Sequence, residues 1–174
     1  MCNLNDRMSY ANVVSKTYQI PKSRIELVFE DFYTEVLALN SKIFSLPFFT
    51  VAELPDDWLL IKMHTAMSAP VAAMPKGLHF DSYFHIDQMA SLAVCGEGID
   101  KKTEEAHDKL LSCLEESALI ATTPVFYVMS GDTTLQYTIV KVGYCDPEVL
   151  DVVGAVHPGG EPDKEGDVVR REPN

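Results

Sequence analysis

Two alternating rows of side chains carry the residues best suited to hold a ligand. Trp58, Leu60, Lys62 and His64 form one row, and Leu135, Tyr137, Ile139 and Lys141 form the other. Residues two apart share a face of an extended strand, so each row presents an aromatic ring, apolar neighbours and basic nitrogen on one side. Rings of this kind stack on apolar or aromatic ligands, and Lys62, His64 and Lys141 point to an anionic ligand or an acidic peptide. Tyr83 or His85, alternating in Tyr83-Phe84-His85-Ile86, completes the same surface. Neither row contains an acid; Glu53 comes nearest and is expected to be solvated beside the Asp56-Asp57 turn. Trp58, the single tryptophan, has a second reading as a cover for the end of its own hairpin.

Covalent chemistry finds little support. The chain lacks a G-x-S-x-G elbow, a phosphate-binding Walker loop and a G-x-G-x-x-G turn. Glu97 with Tyr127 or Tyr137 is the loosest form of an acid–hydroxyl pair. His79, His85 and His157 do not share a metal-ligand spacing, and neither a metal nor another cofactor is expected. His107 is expected as an exposed helix residue. Cys2, Cys95, Cys113 and Cys145 form no C-x-x-C pair and are expected as inert, largely buried thiols.

The 174 residues suffice for one large domain or two small ones, with a core that needs no staples. The net charge of −12 is uneven. Residues 79–145 carry four basic and ten acidic groups, and residues 146–174 carry three and eight. This balance repels a phosphate backbone and an anionic bilayer, so neither nucleic acid nor membrane is an expected partner. No apolar run reaches the roughly 20 residues of a spanning helix, no secretory leader is visible, and a cytoplasmic location is expected.

The elements that must position these rows occur twice. Val13–Ile20 lines up with Leu92–Ile99, and Pro47-Phe48-Phe49-Thr50-Val51 with Pro124-Val125-Phe126-Tyr127-Val128, at nearly the same offset. In the first unit a strand over 13–18 precedes a helix capped by Ser23 with Glu26 three residues on, which ends near Asn40. Strands over 47–53 and 58–67 follow, with Leu59, Ile61 and Met63 facing the helix. The second unit has a strand over 88–95 and a helix over 103–117 with Ala106, Leu110, Cys113 and Leu114 inward. A strand over 125–129, a Ser130-Gly131-Asp132 turn and a return strand over 134–144 complete it. A connector over 68–87 contains one further strand, 80–86.

The paired Pro-Phe-Phe and Pro-Val-Phe strands, Ala69-Pro70-Val71 and the Tyr83-Phe84-His85-Ile86 strand together resemble the GyrI-like family. These are the effector-binding domains of bacterial multidrug regulators and their stand-alone relatives. More narrowly, the chain is similar to an uncharacterised Gram-positive branch encoded beside LXG-type toxin genes. The resemblance covers about residues 9–145 and implies an α+β fold of tandem strand–helix–strand–strand repeats with pseudo-two-fold symmetry. Antiparallel sheets would form a concave face, with the helices behind. Repeat one would span about 9–67 and repeat two about 88–145, followed by an acidic Pro/Gly-rich tail over 146–174. In the regulators such a surface binds hydrophobic cations around a buried acid, and some stand-alone members hydrolyse substrates with Glu and Tyr. No DNA-binding helix-turn-helix flanks the repeats here.

Three functions are therefore expected, in this order. The first is a non-catalytic module holding a small molecule or a peptide in the cleft between the repeats, through Trp58, Leu60, Lys62, His64, Tyr83, Tyr137 and Lys141. The second is an accessory protein of a toxin-export locus. The third is a small hydrolase.

Overall fold

A computed structural model describes residues 2–131 and 136–148. Strand β1 (Asn3–Pro21) leads through a 3-10 turn (Lys22–Arg24) into helix α1 (Ile25–Leu37). Strands β2 (Phe48–Leu54), β3 (Trp58–Ala66) and β4 (His79–Cys95) follow, then helix α2 (Ile99–Glu116) and strands β5 (Ile120–Gly131) and β6 (Gln136–Cys145).

The fold is α+β. Every strand pairing among the described residues is antiparallel, and the strands close into a barrel in the order β1-β3-β2-β5-β6-β4. Closure into one barrel goes beyond the antiparallel sheets with a concave face that were expected. It is made at two seams: a long β1–β4 ladder from Asn3↔Ser91 to Ser15↔His79, and a short β2–β5 ladder of Phe48↔Val128, Phe49↔Tyr127 and Thr50↔Phe126.

Several element boundaries also differ from those expected. The connector strand and the next strand are one continuous β4, because no glycine or proline interrupts His79–Cys95. β1 begins ten residues earlier than its β-branched run suggests; Asn12 lies at φ 55°, an αL conformation open to asparagine, and lets the strand bend between its two partners. Ser23 does not cap α1; it sits in the 3-10 turn, Arg24 takes the cap position without a side-chain bond, and the helix stops at Leu37. α2 starts at Ile99 behind Gly98, whose φ of 69° favours glycine. Part of the expected 130–132 turn, with Leu135 and the tail beyond 148, lies outside the described residues.

Three apolar clusters hold these elements. Val28, Phe32 and Val36 of α1 pack on Val14, Leu59, Ile61 and Met63, the strand face expected to meet the helix. Ala106, Leu110 and Leu114 of α2 pack on Ala90, Val140 and Val142. Met8, Val13, Phe48, Met89, Phe126 and Val128 fill the barrel interior. Full burial of a side chain such as Phe32 or Phe48 contributes roughly 2–3 kcal/mol each. The cysteines also depart from expectation. Cys2 and Cys113 join in a disulfide that ties the start of β1 to α2, Cys95 is exposed and Cys145 half-buried.

Candidate functional site

α1 and α2 lie on one side of the short β2–β5 seam, and the space between them is a cleft of about 1370 Å³. The pleat decides its floor: Phe49, Val51 and Glu53 of β2 and Tyr127 and Met129 of β5 project toward the helices, while Phe48, Phe126 and Val128 point into the barrel. Ile25 and Phe29 of α1 form one wall. Ile99, Asp100, Thr103, Glu104, His107 and Asp108 of α2 form the other, on turns spaced three and four residues apart.

An aromatic series crosses the floor from helix to helix. Phe29 meets Phe49 edge-on at 5.3 Å between ring centroids, Phe49 stacks on Tyr127 at 5.4 Å, and Tyr127 lies over His107 at 6.1 Å. Tyr127 Oη and His107 Nδ1 are 2.6 Å apart. Burial pushes the Tyr127 phenol above its ordinary range, and the Asp108 and Glu104 carboxylates add to the effect. Tyr127 therefore stays a neutral hydroxyl at physiological pH.

The charge of the lining is one-sided. Glu53, Asp100, Glu104 and Asp108 face Lys22 as the one ammonium. Lys22 lies 3.5 Å from Glu53 at the rim, and both side chains are largely solvated. Among the described residues, Asp100, Glu104 and Asp108 have no ion-pair partner. An apolar, aromatic floor beneath uncompensated carboxylates favours ligands that combine aromatic surface with positive charge.

Of the seven residues expected to hold a ligand, Tyr137 alone lines this cleft. Trp58 and Leu60 are each 39 % exposed on the opposite face of β3, Trp58 between Pro21 and Leu54, with Lys62 exposed beside them. His64 follows on the same row but is 2 % exposed inside the barrel, stacked on Phe48 at 4.8 Å and flanked by Phe84 and Phe126. Lys141 is likewise interior: its ammonium lies 2.9 Å from Asp6 and donates to the Arg7 carbonyl at 3.2 Å. Tyr83 is exposed on the β1–β4 ladder, sharing a hydrogen bond with Ser9. Barrel closure separates the row: its inner half becomes core, while its outer half stays on the surface.

The residues missed by sequence are those of α2. The spacing of Asp100, Thr103, Glu104, His107 and Asp108 on one helical stripe was visible, but it reads equally as a solvated face. His107, expected as exposed, is half-buried against Tyr127. Glu97, the acid of the loose acid–hydroxyl pair, is not among the lining residues. Among the described residues no group of three His, Cys, Asp or Glu side chains has metal-site geometry, and no helix is long and apolar enough to cross a membrane.

The C-terminal domain of EcmrR superposes on 84 % of this chain and 98 % of its own length, with a TM-score of 0.63 at 13 % identity. EcmrR in its cryo-EM complex with DNA gives the same 0.63 and 13 %, and there the present chain spans 57 % of the EcmrR chain. A crystal structure of a hydrolase from Listeria innocua matches over 80 % of this chain and 91 % of its own, with a TM-score of 0.54 at 8 % identity. At such identities the likeness is one of fold. No curated protein matches by sequence. The family described as "Domain of unknown function (DUF5085)" matches residues 9–145, and the chain belongs to it.

Proposed function

We propose that this member of the family is a non-catalytic binding module that takes an aromatic, cationic small molecule into the cleft between α1 and α2. The carrying observation is the Phe29–Phe49–Tyr127–His107 series lying in a cleft lined by Asp100, Glu104 and Asp108. The volume is ample for a drug-sized ligand, whose sites commonly measure 300–1,000 Å³. The GyrI-like resemblance and the fold shared with the EcmrR C-terminal domain support the reading. Lys62 and Lys141, the residues that pointed to an anionic ligand, do not line the cleft.

Calorimetric titration with tetraphenylphosphonium and with tetraphenylborate, equal in shape and opposite in charge, tests this. Tetraphenylphosphonium should bind at least tenfold more tightly at pH 8. Phe49→Ala and Glu104→Gln should each weaken it roughly fivefold or more, in line with the 0.5–2 kcal/mol of a cation–π or ionic contact. Equal affinity for both ions, or indifference to Phe49→Ala and Glu104→Gln, would sink the proposal.

A further inference from the structure

The contact between Tyr127 and His107 joins the two ends of the cleft's polarity. At 2.6 Å, Oη and Nδ1 have room for one proton between them. When the neutral imidazole carries its proton on Nε2, the phenol donates and Nδ1 accepts, and the Tyr127 lone pairs are left to the cleft. A protonated imidazole donates from both nitrogens. Nδ1–H then supplies the shared proton, and the phenol hydrogen must turn outward, making Tyr127 a donor to whatever lies above it. The same protonation puts a positive charge into a lining whose excess of carboxylate would otherwise attract a cation.

We propose that His107 is a specificity-determining residue of this cleft: through Tyr127 it makes the site cation-accepting when neutral and anion-tolerant when protonated. The inference rests on the cleft reading proposed above and adds a proton as competitor of the ligand. Groups of every neighbouring element bear on it. Asp100, Glu104 and Asp108 stand on α2 itself, Glu53 on β2, Lys22 before α1, Tyr127 on β5 and Tyr137 on β6. Tyr127 does not ionise in this range, because its phenol is raised. Histidine is the one unperturbed side chain whose charge changes between pH 5 and 8.

The test has a ligand arm and a ligand-free arm. From pH 8 to pH 5.5 the affinity for tetraphenylphosphonium should fall about tenfold and that for tetraphenylborate should rise, the shift expected of one charge within a few ångströms of a bound ion. In His107→Gln the ratio between the two pH values should shrink to within twofold, whatever its absolute affinity. A ratio as large in His107→Gln as in the parent overturns the inference while leaving the cleft reading intact. Absence of any tetraphenylphosphonium binding at pH 8 overturns the cleft reading instead.

Long-range nitrogen–proton NMR of His107 in the free protein decides the switch without a ligand. Nδ1 should be bare and Nε2 protonated at pH 8, both protonated at pH 5.5, and Tyr127→Phe should loosen this tautomer preference. A proton on Nδ1 at pH 8 would exclude the switch.

Discussion

Asp6 and Lys141 come from opposite ends of the described chain and meet inside the barrel, with Nζ 2.9 Å from Oδ2 and the two side chains 23 % and 11 % exposed. The pair fastens β1 to β6, strands that are not neighbours in the barrel but lie on either side of β4. Burial works to raise the Asp6 carboxyl. Hydrogen bonds from Ser91, Lys141 and the Arg7 amide, with the Lys141 charge, outweigh it and hold the carboxyl below its ordinary range.

Lys141→Ala should therefore destabilise the fold by roughly 1–3 kcal/mol, because the half-buried Asp6 carboxylate loses its charged hydrogen-bond partner. Lys62→Ala, on β3 and solvated, should stay within about 0.5 kcal/mol of the parent. Urea melts of both variants check the contrast. The Asp6 contribution is present above the carboxyl's unfolded-state value and is lost as pH falls through its lowered folded value, so the gap between parent and Lys141→Ala should narrow below about pH 4.

His64 should make the protein acid-sensitive in a separate window. Burial first, and the nearby Lys62 charge second, push its imidazole down to about 4, and its Nδ1 has no hydrogen-bond partner. The unfolded chain takes up the proton near 6.5 and the folded barrel near 4, so stability is full above 6.5 and declines as pH falls between them. The loss amounts to roughly 3 kcal/mol. His64→Phe preserves the stack on Phe48 and should flatten the decline between pH 6.5 and 4 in denaturation measured across pH. An equally steep decline in that variant would place the acid sensitivity elsewhere.

Trp58→Ala should cost about 1 kcal/mol, well below the 3–5 kcal/mol of a buried aromatic, because the indole is 39 % exposed at the end of β3. It should also leave tetraphenylphosphonium affinity unaltered, since Trp58 is not among the cleft residues. A thermal melt and one titration suffice, and a tenfold loss of affinity would return the ligand to the face of Trp58, Leu60 and Lys62.

Thiol titration of the native protein without reductant should find two reactive groups, the exposed Cys95 reacting before Cys145. Cys2 and Cys113 close a loop of sequence separation 111, so their reduction should destabilise by about 4–5 kcal/mol on the chain-entropy account. Four reactive thiols with an unchanged melt after reduction would show that the link is absent.

Much of the local structure was legible in the order of residues. Leu59, Ile61 and Met63 alternate so regularly that their sharing one apolar face follows from period two alone, and the helical spacing of Ala106, Leu110 and Leu114 marks the inner stripe of α2. Alternation states only which side chains share a face, however. Whether that face meets a helix, solvent or another strand depends on pairings between distant segments, which leave no local mark.

That distinction explains the site. Trp58, Leu60, Lys62 and His64 do share one face of β3, as their spacing requires, yet the β1–β4 and β2–β5 seams wrap one end of that face into the barrel and leave the other outside. The acids of α2 were an ordinary polar stripe until the fold set Tyr127 and Phe49 opposite them. Sequence periodicity by itself determined the helices, most of the strands and which side chains share a face, because those rest on contacts a few residues long. Only the tertiary structure decided that the sheet closes and that the cleft lies on the helical side. Both outcomes depend on long-range strand pairing, in which a residue's role is set by neighbours distant in the chain.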